Sequence, residues 1–165
     1  MPRTELVRVY LPLTASLLRR ARDEGGFGAL PLAAHAVTPA VEEALAGTGQ
    51  EECEYAAMTA AADESLAVIG TEDAPRRVVA AVDVASWQPR SGDSEAAPSA
   101  VEVVAAVPLR RLAAVHVDTE DLPPDPERAA EAAEDQELGW YATQELDDVL
   151  AALAASARRR RGTIG

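Results

Sequence analysis

A chain of 165 residues, 48% of them hydrophobic, is long enough for one ordinary domain with its own core. Its 28 acidic residues outnumber its 15 arginines, and the formal net charge of −13 argues against partners such as nucleic acid or an anionic membrane. The single cysteine, Cys53, excludes an intramolecular disulfide framework.

Composition also suggests a host and a compartment. The sequence contains neither lysine nor asparagine, whose codons are AT-rich, so we expect a high-GC organism and specifically an actinobacterium. Residues 1–5 lack the apolar region of a signal peptide, and no apolar run reaches the roughly 20 residues that span a bilayer. The expectation is a soluble cytoplasmic protein without membrane association.

The first half of the chain predicts two strand–helix units. Residues 6–13 alternate in hydrophobicity as a strand does, and Thr14 is placed to cap a helix over residues 15–24. Residues 33–37 predict a second strand, followed by Thr38 as the cap of a short helix. An alanine-rich helix is predicted over residues 51–68.

The second half adds strands, loops and two helices. The valine-rich residues 77–85 predict a central buried strand. The further predictions are a loop over 87–99, strands over 100–107 and 113–118, a loop over 119–128 and a helix over 127–135. Residues 138–142 fit either a strand, which we favour, or part of one long helix, and Thr143 then caps a last helix to about residue 156.

These elements predict a single α/β (or α+β) domain over residues 1–157, with helices packed on a mixed sheet of five or six strands. Residues 158–165, which begin with four arginines, are predicted to form a basic, disordered C-terminal tail.

Several segments resemble an uncharacterised actinobacterial family, a domain of unknown function. The resemblance is carried by residues 8–14 (RVYLPLT), 36–40 (AVTPA), 54–61 (EYAAMTAA), 115–118 (VHVD) and 137–146 (ELGWYATQEL). It covers nearly the whole chain and implies a single domain, but no activity and no catalytic residue.

One hypothesis for ligand binding concerns anions at helix N-termini. If the strands are parallel, the helices that begin after Thr14, Thr38 and Thr143 start at one edge of the sheet, where free N–H groups attract phosphate or carboxylate. The candidate ligand-binding residues are Arg8, Tyr10, Thr14, His35 and Thr38. The alternative, which we favour, is that these threonines only cap helices.

A metal site is a weaker hypothesis. His116 and Asp118 lie two residues apart and share a strand face, and His35 would complete a set of two histidines and one carboxylate. Because alternation places His35 toward the core and His116 toward solvent or an edge, packing explains both histidines better. We expect no cofactor.

The sequence assigns no catalytic residue. Cys53 is flanked by glutamates, which disfavour its thiolate, and no serine lies in a nucleophile elbow. Paired carboxylates can provide acid–base chemistry, but in so acidic a chain adjacent acids arise by chance. The candidates for such chemistry are Glu51, Glu54, Glu64 and Glu137, with Tyr55 or Tyr141.

A binding patch is the hypothesis closest in weight to its structural alternative, which we favour and in which the same aromatic residues simply fill a core that is poor in aromatics. Trp140 and Tyr141 adjoin Gln144 and Glu145 in a chain with six aromatic residues, and aromatic pairs often anchor partners. We therefore expect a non-enzymatic cytosolic protein-interaction module. The alternative is a small-molecule binder or an enzyme acting on an anionic ligand, which a pocket lined by Arg8, Tyr10, His35 and Thr38 would favour.

Overall fold

The computed structural model describes residues 5–90, 92 and 96–163. The strands of the described residues are β1 (Val7–Leu13), β2 (Gly26–Phe27), β3 (Leu32–His35), β4 (Val78–Val84), β5 (Gln88–Pro89), β6 (Ala100–Val103), β7 (Val107–Pro108), β8 (Leu112–Asp118) and β9 (Leu138–Ala142). Their α-helices are α1 (Ala15–Glu24), α2 (Pro39–Ala44), α3 (Gln50–Val68), α4 (Pro126–Asp135) and α5 (Leu146–Thr163).

Over the described residues, seven strands form one sheet in the order β5-β6-β3-β1-β4-β8-β9, and β2 pairs with β7 in a separate ribbon. Every pairing is antiparallel. The predicted single domain with helices packed on one sheet is confirmed, and its α+β form fits. The sheet is larger than predicted because β5, with two residues, is too short to show periodicity. The sheet is antiparallel instead of mixed, because side chains alternate in the same way in parallel and antiparallel strands and the sequence pattern therefore does not indicate strand direction.

Side-chain alternation along the strands separates two apolar layers. On one face of the sheet, Val9 and Leu11 of β1 pack in the layer that Leu18 of α1 and Leu153 of α5 complete. On the opposite face, Tyr10 packs in a layer that α3 covers with alanines. Small side chains let α3 lie close to the strands, so the aromatic-poor sequence still builds a close-packed core.

Ser65 connects α3 to the sheet. Its fully buried hydroxyl donates to the carbonyl of Leu13 at 2.7 Å and accepts from the backbone N–H of Val78 at 2.9 Å. These two bonds satisfy strand groups at the ends of β1 and β4 that would otherwise be buried without partners.

The last helix is longer than the sequence predicts. α5 continues to Thr163, so the prediction of a disordered tail from residue 158 was wrong for residues 158–163; residues 164 and 165 lie outside the described residues. Arg160 donates to the carbonyls of Gly70 and Asp73, both at 2.9 Å, and these tertiary bonds hold the helix end. In the described part of the chain, no helix has both the length and the hydropathy needed to cross a bilayer.

Candidate functional site

The three threonines of the anion hypothesis do not lie at one edge of the sheet. Because β1 runs antiparallel to β3, Thr14 follows β1 at one edge and Thr38 follows β3 at the other. Both cap helices as predicted, with Thr14 accepting from Leu17 and Thr38 from Val41. Thr143 only begins a 3-10 turn without a side-chain cap. The predicted convergence was wrong because it assumed parallel strands.

The N-terminus of α1 already holds an anion from the chain itself. The backbone N–H of Ser16 donates to a carboxylate oxygen of Asp73 at 3.0 Å, in the position where a phosphate would accept. With Thr14 accepting from Leu17, these donors in the first turn of α1 are satisfied internally.

Arg8 and Tyr10 line a pocket of about 360 Å³ between β1, α2 and α3. The guanidinium of Arg8 is paired with Asp83 at 3.1 and 3.3 Å, and Glu42 and Glu54 also line the pocket. Burial and the nearby Glu54 raise the pKa of Tyr10, which keeps its hydroxyl neutral. The pocket is acidic overall, so it does not suit an anionic ligand.

His35 does not line that pocket and lies instead in a polar cluster with Glu64, Ser99 and Arg90. Its Nε2 donates to Glu64 at 3.0 Å, so its Nδ1 accepts from the Ser99 hydroxyl at 2.8 Å when the ring is neutral. Arg90 donates to the same carboxylate at 2.8 Å and to the carbonyl of Ala34 at 3.0 Å. The hydrogen bonds from His35 and Arg90 lower the pKa of Glu64.

The side chains of Ser99, His35 and Glu64 thus form a chain of hydrogen bonds, the order that the catalytic triad of a hydrolase has. Ser99 is buried, however, and its carbonyl accepts from the backbone of Ala36. A hydroxyl enclosed in this way has no approach for a substrate. The cluster instead ties α3 to β3 and β6, and sequence reasoning missed Ser99 and Arg90 because they come from a predicted loop.

The proposed metal ligands are engaged elsewhere. The fully buried carboxylate of Asp118 pairs with Arg77 at 2.8 and 3.0 Å. His116 packs its ring against Tyr10 with centroids 6.5 Å apart, and burial, with a smaller effect of Arg8, lowers its pKa. His35 lies three strand spacings away from β8, or about 14 Å. Within the described residues, no metal-binding group of three such side chains occurs.

The predicted partner-binding residues divide between the two faces of the sheet. Trp140 pairs with His116 on the α3 face and is 62% exposed, whereas Tyr141 packs into the layer under α5. Gln144 and Glu145 are exposed, and Glu145 accepts from the backbone N–H of Ala142 at 2.8 Å. The four residues therefore form no single patch, because neighbours on a strand point to opposite faces.

Trp140 shares its face of β9 with a large groove that sequence reasoning missed. The groove has a volume of about 850 Å³ and lies between α3, α4 and the start of β9. Its apolar lining consists of Met58, Ala62, Leu66, Ala130, Ala133 and Leu138. Its exposed acidic residues are Asp63, Glu134, Asp135 and Glu137.

The remaining residues that the sequence suggested for catalysis lie away from this groove or at its margin. Cys53 is buried in α3, and Glu51 is exposed in the first turn of that helix. Tyr55, which is 58% exposed, lines the end of the groove. Arg77 also reaches the lining, but its charge is neutralised by Asp118.

The fold and these surfaces define a class: a single α+β domain with helices on both faces of an antiparallel sheet and an acidic groove near one sheet edge. Residues 7–150 match the family of unknown function DUF6912, and the chain therefore belongs to that family. The resemblance to an uncharacterised family is confirmed. No curated protein and no solved structure is significantly similar to the chain.

Proposed function

We propose that the protein is a non-enzymatic cytoplasmic module, in an actinobacterial host, that binds a basic segment of another protein in the groove between α3, α4 and β9. The observation that carries the proposal is the combination of an apolar lining with four exposed carboxylates in one groove of about 850 Å³. Apolar burial supplies affinity, and the charge selects the partner.

The exposed aromatic residues support a protein partner. Tyr55 lines the groove, and Trp140 lies two residues beyond Leu138 on the same face of β9. Aromatic side chains bury large areas at little entropic cost and are enriched where binding energy concentrates. Their exposure in the free protein is consistent with a surface that a partner covers.

The chemistry of the other candidate sites supports a non-enzymatic role. The Ser99 hydroxyl and the Cys53 thiol are buried, and Arg8 near Tyr10 is paired with Asp83. An anionic ligand has no support from the groove, since Asp63, Glu134 and Asp135 would repel it.

A random peptide library displayed on phage tests this function. The expected result is enrichment of sequences that combine arginine or lysine with apolar residues. Selection should fail on Glu134→Arg/Glu137→Arg, which reverses two groove charges. The control Glu43→Arg/Glu131→Arg makes the same change in net charge at exposed sites outside the groove lining, and it should select the same peptides. Equal enrichment on both variants, or none on the native protein, would contradict the proposal.

A further inference from the structure

The strand β9 is a free edge of the sheet. Among the described residues, β9 is the last strand in the order and pairs only with β8. An edge strand offers a row of backbone donors and acceptors to another chain. The orientation of those groups and the charges around them decide what can pair there.

Two observations fix which backbone groups point outward. The N–H of Asp118 donates to the carbonyl of Arg77, on the β4 side of β8. Backbone groups alternate in direction along a strand, so the N–H and C=O of Val115 and Val117 point the other way, toward β9. Their partners in β9 are Tyr141 and Gly139. The N–H and C=O of Trp140 then point away from β8.

The second observation agrees with the first. The N–H of Ala142, which has the same orientation as that of Trp140, bonds to the side chain of Glu145 instead of a strand. Leu138 and Trp140 therefore present outward backbone groups beside an exposed indole. The five residues of β9 include no proline and no charge, the usual devices that block pairing at an edge.

We propose that this edge of β9 accepts an extended segment of the partner as an eighth strand, and that the segment alternates basic and apolar residues. The inference rests on the proposed function and specifies how its partner binds. Strand addition takes affinity from main-chain bonds and specificity from alternate side chains.

Charge selects a basic segment over a second copy of the chain. If two copies paired antiparallel about Trp140, the start of β9 in each copy would lie beside the end of β9 in the other, which brings the flanking acids Asp135 and Glu145 toward each other, and like charges repel. The same acids, together with Glu134 and Glu137 beside the strand, attract arginine or lysine. The eighth strand would place alternate side chains next to Trp140 and Leu138.

Amide hydrogen exchange measured by NMR tests the strand pairing, with the heptapeptide Arg-Val-Arg-Val-Arg-Val-Arg as the probe. We expect the peptide to slow exchange of the Trp140 amide by about tenfold or more, since a paired amide exchanges only on opening. A Glu-Val heptapeptide of the same pattern should have no effect.

Two substitutions at one position separate the backbone from the side chain. Trp140→Ala removes the indole and keeps the outward N–H, whereas Trp140→Pro removes both, and proline is tolerated where an edge N–H faces solvent. We expect the proline variant to bind the probe about threefold to tenfold more weakly than the alanine variant, the worth of one hydrogen bond.

The outcomes separate this inference from the proposed function. The probe could shift the signals of Met58 and Ala62 and leave the exchange of the Trp140 amide unchanged. This result would overturn strand pairing but would keep the groove as the binding site. Failure of the probe to bind while selected peptides bind would also overturn it. Protection of the Trp140 amide that grows with protein concentration alone would identify a second copy as the occupant and overturn it as well.

Discussion

Individual buried and half-buried polar side chains hold this fold together where its small apolar residues cannot. Ser65 satisfies Leu13 and Val78, Asp118 neutralises Arg77, and Glu64 joins His35 to Arg90. Each of these contacts joins residues that are at least 13 positions apart in the sequence. Sequence periodicity reports which face a residue occupies, but not which partner lies there, so only the types and faces of these residues were predictable.

Ser65→Ala should lower the free energy of unfolding by about 1–3 kcal/mol, because it leaves a buried carbonyl and a buried N–H without partners. Urea unfolding followed by circular dichroism measures the change. Ser86→Ala, at an exposed position after β4, serves as the control and should change stability by less than about 0.5 kcal/mol. Equal losses from the two variants would contradict the role given to Ser65.

Glu64 should make stability depend on pH in the acid range. The bonds from His35 and Arg90 lower its pKa in the folded protein below the ordinary value of 4.5. Its contribution is therefore complete above that ordinary value and is lost as the pH falls through the folded pKa.

We expect Glu64→Gln to destabilise the protein at pH 7, with a difference from the native protein that shrinks below about pH 4. Urea midpoints measured between neutral pH and about pH 3 give the comparison. Glu131→Gln, on the exposed side of α4, controls for the loss of one negative charge. A difference that stays constant over this range would count against the assigned coupling.

Among the elements, the long strands and helices were predictable and the short or tertiary-dependent ones were not. The preference for a strand over one long helix at residues 138–142 is confirmed. β5 and β7 depend on partners elsewhere in the chain and carry no pattern of their own. The end of α5 was missed for the same reason, because Arg160 becomes ordered through contacts with the 70–73 loop.

Arg160→Ala should lower the free energy of unfolding by about 1–2 kcal/mol, because it removes the donor that both loop carbonyls share. Arg158→Ala, one half-turn away and exposed, should change it by less than about 0.5 kcal/mol. Hydrogen exchange provides a second measurement: amides of residues 158–162 should be protected in the native protein and less so in Arg160→Ala. If these amides are unprotected in the native protein, the result would contradict an ordered helix end and support the prediction of a disordered tail.

At the scale of the whole molecule, the antiparallel topology decides where a function can lie. It separates Thr14 from Thr38 and thereby removes the anion site that the sequence suggested. It also places β9 at an edge, with the acidic groove beside it. The sequence identified Trp140 as a candidate binding residue but could not identify the groove, because Met58, Ala133 and Leu138 come from three separate elements.

Trp140 itself reports on the proposed partner. The chain has two tryptophans, so Trp87→Phe leaves Trp140 as the sole tryptophan fluorophore at the surface we assign to binding. In this variant, titration with a basic peptide obtained from the library should give a saturable blue shift of tryptophan emission, and added salt should weaken the affinity. Unchanged emission at peptide concentrations that saturate binding by calorimetry would contradict the proposal that the groove beside Trp140 binds a basic protein segment.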